Sequence, residues 1–128
     1  MSLEVDNTSR DYLYGRLLAV AERVEKIALS VANEKRITTA ERLMHRFADR
    51  PYSTWRTIEL ALKPYMQRLQ GSKSGFLNNQ LTLLDEIMDT FDGDEFSSDQ
   101  KLSGEFLLAY HCQRQFFRNK AEAEVSVN

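Results

Sequence analysis

Leu77, Leu81, Leu84, Met88 and Phe91 follow one another at alternating steps of four and three, which brings every one of these apolar side chains to a single side of a helix. This is the cleanest seam in the chain, and the same period recurs elsewhere. Tyr12 to Val31 carries Leu13, Leu17, Val20, Val24, Ile27 and Val31 on one face with Arg16, Arg23 and Lys26 off it, predicting a long amphipathic first helix that ends at Asn33. Thr38 followed by Glu41 is a capping box, and Ala40, Leu43, Met44 and Phe47 predict a short second helix that stops before Pro51. Ser53 is placed to cap a third helix with the stripe Trp55, Ile58, Leu62, Tyr65 and Leu69, in which Pro64 predicts a kink or break near Lys63.

"QGSKSG" (70–75) reads as a turn or flexible loop, and "FDGDEFSSDQ" (91–100) as an acidic connector. Ser103 then caps a last helix with Leu102, Phe106, Ala109, Tyr110, Gln113 and Phe117 on its buried face. Only two Pro and five Gly interrupt the 128 residues, and β-branched runs are nearly absent. The expectation is an all-α fold: one compact helical bundle of about five helices over 1–128, with flexible ends at 1–10 and 119–128.

The only cysteine, Cys112, stands beside His111, the pairing that a thiolate nucleophile and its base would need. On a helix, sequence neighbours point about 100° apart, so the two do not face each other. Cys112 falls near Leu108 and Phe116, apolar company that would keep a thiol inert, and His111 shares a face with Arg114 and Arg118. One cysteine makes no internal disulfide, and no apolar run reaches the ~20 residues of a bilayer span, so the expectation is a soluble, cytoplasmic protein with no membrane contact.

Seventeen Lys and Arg against nineteen Asp and Glu nearly cancel, but they are unevenly placed. Residues 36–73 hold eight basic side chains against three acidic, and residues 85–105 hold one against eight. Arg42, Arg46 and Arg50 follow one another by a helical turn, a spacing suited to successive phosphates, with Arg56, Lys63 and Arg68 as further basic candidates. The competing reading is a solvated face neutralised by Arg46–Asp49, Arg56–Glu59 and Glu59–Lys63 pairs. Trp55 and Tyr65 belong to the core stripe, so base stacking is not indicated.

The acidic segment does not form a calcium loop. Counting from Asp92, Ser97 and Ser103 occupy the positions that require glycine and glutamate. Asp85, Glu86 and Asp89 cluster on one helix without further ligands at a two-metal spacing, and His45, His111 and Cys112 are too scattered for zinc. No metal or cofactor is expected. The acidic residues Asp92, Asp94, Glu95 and Asp99 instead suggest a protein interface, an acidic end docking on the basic end of a neighbouring copy in a head-to-tail string.

Four segments, "YLYGRLLAVAERVE" (12–25), "TTAERLMHRFADRP" (38–51), "TWRTIELALKPYMQRL" (54–69) and "LSGEFLLAYHCQRQ" (102–115), resemble in order the C-terminal region of the large subunit of type I-C CRISPR Cascade. In that family the region is also made separately, by internal translation initiation, as a small subunit, and Met1 stands just upstream of the first segment. The resemblance implies a helical bundle present in several copies beside the large subunit and the backbone subunits. Such a bundle supports the R-loop in which guide RNA pairs with target DNA and the non-target strand is displaced. It implies no catalysis, since cleavage belongs to a separate recruited helicase-nuclease. It favours phosphate contacts from Arg42, Arg46 and Arg50, and leaves His111, Arg114 and Arg118 to extend that path or to dock on the backbone subunits. The rival is an assembly adaptor that joins subunits by charge and never touches DNA.

Overall fold

The structure, a computed structural model, describes the backbone of residues 2–127 and the side-chain surroundings of residues 2–121. It is all-α, with no strand among the described residues. The helices are α1 (Arg10–Val31), α2 (Thr39–Arg42), α3 (Met44–Asp49), α4 (Pro51–Ser72), α5 (Ser74–Thr90) and α6 (Glu105–Val127).

α1 is the axle of the fold, and α2, α4, α5 and α6 all pack on it. It is buried more widely than the single stripe of an amphipathic helix predicts, because Tyr12, Tyr14, Leu18, Ala19 and Ala21 are buried along with Leu13, Leu17, Val20 and Val24. Arg16, Glu22 and Glu25, polar positions off the stripe, are buried too, whereas Val31 at its end is 40% exposed. Helices on several sides leave α1 little circumference for water. The close approach of α6 requires Gly15, where an added Cβ would lie 2.1 Å from the Phe106 carbonyl oxygen. α1 ends as expected: Asn33 takes a left-handed φ of 57°, while the amides of Asn33 and Glu34 donate back to the carbonyls of Ser30 and Leu29.

The second predicted helix is two short pieces, broken at Leu43. Thr38 caps α2 by accepting from the Glu41 amide at 3.2 Å, and the buried Glu25 carboxylate adds a second cap by accepting from the Thr39 amide at 3.0 Å. α4 begins at Pro51, earlier than a Ser53 cap implies. Its first turn is satisfied from outside by Asp99, which accepts from the Ser53 amide at 2.9 Å and from the Ser53 hydroxyl. Pro64 does not end α4. The carbonyl that its missing N–H leaves unpaired belongs to Leu60, 63% exposed, where water can take the place of the lost bond. The expected loop 70–75 contracts to the single non-helical Lys73 between α4 and α5. α5 buries Leu77 and Leu84 as the seam predicts, together with Gln80 and Ile87, while Leu81 and Met88 are half-buried.

The connector from α5 to α6 is pinned despite its acidic composition. Tyr14 stacks on Phe96 at 5.8 Å and meets Phe91 edge-on at 5.0 Å, and its hydroxyl donates to the Phe96 carbonyl. Arg10 donates to the carbonyls of Glu95, Ser98 and Gln100. The expected looseness at 1–10 meets two anchors, since Ser9 donates to Glu105 and the Glu4 amide donates to the Tyr12 hydroxyl at 2.8 Å. At the other end, the backbone of α6 is helical to Val127, and the side chains of 122–128 lie outside the described residues.

Burial pushes the phenols of Tyr12, Tyr14 and Tyr110 above the usual tyrosine value, and the hydrogen bond from Tyr110 to Glu22 adds to its shift. The folded chain therefore holds these protons after the unfolded chain has released them. Stability is expected to be independent of these groups below about pH 9 and to fall above about pH 10, at up to ~1.4 kcal/mol per pH unit for each phenol. Urea midpoints taken between pH 8 and 11 check this, and the double variant Tyr14→Phe, Tyr110→Phe should lose most of the alkaline slope.

Candidate nucleic-acid interface

α2 and α3 lie against α1 through Ala40 and Phe47. The Leu43 amide donates to the Thr39 carbonyl at 2.9 Å and the Phe47 amide to the Leu43 carbonyl at 2.8 Å, so helical register survives the break. The opposite side carries Arg42, His45, Arg46 and Arg50, all exposed. The Arg46–Asp49 pair that would neutralise this face is not among the ion pairs of the described residues. The side chains of Arg42 and Arg46 are aimed at solvent without an ion pair, and Arg50 sits within electrostatic range of Asp99.

The other sequence candidates divide. On α4, Arg56 pairs with Glu59 at 3.8 Å, as the solvated-face reading expects, and donates to the Tyr52 hydroxyl at 3.0 Å. Burial nevertheless raises the Glu59 carboxyl, against the pull of Arg56 and Lys63. Lys63 is exposed and makes no ion pair with Glu59. Arg68 has an internal role: it donates to the Ala28 carbonyl at 3.1 Å and lies 3.5 Å from Glu34, closing the C-terminal turn of α1 with a cation.

Arg114 lies 3.2 Å from the buried Glu22 carboxylate and over the Tyr110 ring, yet its side chain remains 35% exposed. Together with Arg118 it borders a groove of about 180 Å³ between α1 and α6, whose α1 wall carries Arg23 and Lys26. Glu22 at its floor accepts from the Tyr110 hydroxyl and sits 3.4 Å from Lys26. Four cations against one buried carboxylate leave the groove positive. Arg23 and Lys26 escape a reading that counts charge along the sequence, because they become neighbours of Arg114 and Arg118 only when α6 lies on α1. The detectable signal is the three-residue spacing of Arg23 and Lys26 against the four-residue spacing of Arg114 and Arg118.

The groove and the α2–α3 face adjoin. Lys26 lies 3.8 Å from Glu41, the residue before Arg42, so a path of basic residues, interrupted by the Glu41 carboxylate, can be traced from Arg118 and Arg114 through Lys26 to Arg42, Arg46 and Arg50. Cys112 is buried and His111 exposed, edge-on to Tyr110 at 5.2 Å, so they do not form a dyad.

The acidic residues Asp92, Asp94 and Glu95 are exposed on the pinned connector. Asp99 is held to Ser53, and those two hydrogen bonds depress its carboxyl below the usual range. Its position beside Arg50 brings the acidic segment next to one end of the basic path. Among the described residues, no group of three or more His, Cys, Asp or Glu gathers as metal ligands, and no helix is long and apolar enough to cross a membrane.

The sequence model of the CRISPR-associated protein family Csd1 matches residues 1–118, which takes in every residue of the basic path. The chain belongs to the Csd1 family. Its role is CRISPR-associated, in agreement with the resemblance to a type I-C Cascade small subunit. The match ends at Arg118, inside α6, and the remaining ten residues lie beyond it. A search of curated proteins found no match. Within this Csd1-family chain the α1–α6 groove reaches the α2–α3 face at the contact between Lys26 and Glu41, and Arg50 lies at the junction of α3 and α4.

Proposed function

We propose that this chain is a non-catalytic small subunit of type I-C Cascade that binds nucleic acid without sequence preference and stabilises the R-loop by holding the displaced non-target strand. The observation that carries this reading is the path from Arg118 through Lys26 to Arg50, on which Arg42 and Arg46 are exposed without acidic partners. A phosphate backbone accepts such contacts from guanidinium groups at helical spacing and confers no base preference. Trp55 is buried on the inner face of α4, which leaves phosphate rather than base as the thing recognised. Its partners on this reading are the large and backbone subunits, further copies of itself, guide RNA and target DNA.

Fluorescence anisotropy of labelled single-stranded and duplex DNA, titrated with the chain and with the complex that contains it, tests the reading. Binding should be indifferent to sequence and weaken as salt rises, with the logarithm of affinity falling linearly against the logarithm of salt. Absence of binding at low salt in both forms overturns it and favours the adaptor role.

A further inference from the structure

Two rows of side chains meet where α6 lies on α1. Glu22 and Lys26 are four residues apart on α1, and Tyr110, Arg114 and Arg118 repeat by four on α6, so each row keeps to one side of its helix. Glu22, Lys26, Arg114 and Arg118 line the α1–α6 groove together with Arg23, and the Tyr110 hydroxyl reaches the Glu22 carboxylate.

Glu22 is 2% exposed, and a carboxylate so buried stays ionised only with its charge compensated. Three groups do this, and they are not alike. The Tyr110 hydroxyl donates a hydrogen bond to Oε2. Arg114 Nε lies 3.2 Å and Lys26 Nζ 3.4 Å from Oε1, but neither side chain donates a hydrogen bond to any described residue. The two cations are held by charge, and their side chains remain 35% and 50% exposed. Each can turn its N–H groups to an anion entering the groove without breaking a hydrogen bond. A phosphate there and the Glu22 carboxylate are alternatives for the same two cations. When the cations turn to phosphate, Glu22 keeps a buried charge with the Tyr110 hydroxyl as its remaining hydrogen bond, and that cost opposes binding.

We propose that Glu22 is a built-in competitor of phosphate, an internal anion that holds Arg114 and Lys26 in the unbound chain and from which a nucleic-acid strand must draw them. This deepens the strand-binding role above and rests on it. Glu22 then acts in opposite directions on folding and on binding. In the unbound chain it relieves the repulsion among Lys26, Arg114 and the neighbouring Arg118, whereas in the bound state its charge stands against the strand.

Glu22→Gln removes the charge at nearly constant shape and keeps an acceptor for the Tyr110 hydroxyl. Anisotropy titrations of a labelled single-stranded oligonucleotide at low salt, with the chain and with the complex that contains it, should show affinity raised about fivefold or more, as expected when one like charge is removed a few ångströms from a phosphate. The urea midpoint of the same variant should fall. A residue with a structural role alone would lower both. Asp85→Asn, on an exposed side of α5 outside the groove, changes net charge equally and should alter affinity by less than about twofold, because salt screens distant charges. Tyr110→Phe takes from Glu22 its one hydrogen bond and makes the cations harder to draw away, so it should weaken binding by about twofold or more. It decides the matter where Glu22→Gln does not fold. A folded Glu22→Gln chain that binds no more tightly than Asp85→Asn, or a Tyr110→Phe chain that binds as tightly as the unchanged one or more so, overturns the role of Glu22 and leaves the strand-binding reading standing. Failure of the unchanged chain to bind in either form overturns that reading and this one with it.

Discussion

Gly15→Ala is expected to destabilise the fold by about 3 kcal/mol or more, a large cost for one methyl group, because backbone leaves no room for it. The new Cβ would lie 2.1 Å from the Phe106 carbonyl oxygen, 2.9 Å from the Phe106 carbonyl carbon and 2.7 Å from the Ala109 Cβ. None of these atoms can rotate aside, so α6 as a whole has to lift from α1. Gly71→Ala, near the end of α4 with nothing within 4 Å of the added carbon, is the matched control and should be neutral or slightly stabilising. Urea denaturation of the two variants checks the contrast. A Gly15→Ala midpoint close to that of the unchanged chain would show that the two helices are not in such close contact. Because Arg114 and Arg118 ride on α6, the variant should also weaken DNA binding where it still folds.

Reversing Arg42, Arg46 and Arg50 to Glu should have the largest effect on binding with the least effect on folding. The side chains are exposed and make no ion pair among the described residues, and only Arg50, in electrostatic range of Asp99, adds a repulsion near the start of α4. If each meets one phosphate of a single strand, the log–log salt slope should flatten by about 0.7 per contact, or roughly 2 for all three, with an affinity loss at low salt of at least tenfold. Thermal melts verify that the bundle is intact, and anisotropy titrations at several salt concentrations give the slope. An unchanged slope would remove these residues from the path. The same substitutions leave Arg114, Lys26 and Arg118 in place, so residual salt-dependent binding measures the share carried by the α1–α6 groove.

Much of the fold is legible in the apolar period, and the deviations have local physical causes. The seam on α5, the stripe on α6 and the capping box at Thr38 each depend on contacts within a few residues, which sequence spacing reports directly. The start of α4 does not, because its cap comes from Asp99, 46 positions away from Ser53. Pro64 suggests a break that does not occur, since Leu60, whose carbonyl loses its partner, lies on an exposed side of α4, and no periodicity states which side of a helix is wet. The greatest departure is α1. A stripe shows that one side is buried but is silent on whether the other side is buried as well, and Glu22 and Glu25 read as surface charge until the partners Tyr110, Lys26 and Thr39 are in place. For the same reason the candidate surface is only partly foreseen: Arg42, Arg46 and Arg50 are local to one segment, whereas the groove is made by two helices distant in the chain.

The wrapping of α1 has a consequence for how the molecule is made. α1 leaves the ribosome before every helix that covers it, and α6, which closes over Gly15 and Glu22, is the last to follow. At ordinary elongation rates about 4 to 15 s separate the end of α1 from the start of α6. During that interval the nascent chain presents Leu13, Leu17, Leu18 and Val20 without their final cover. A product released before α6 cannot complete its centre, and is therefore marked for chaperones or proteases by the very surface that later becomes its core.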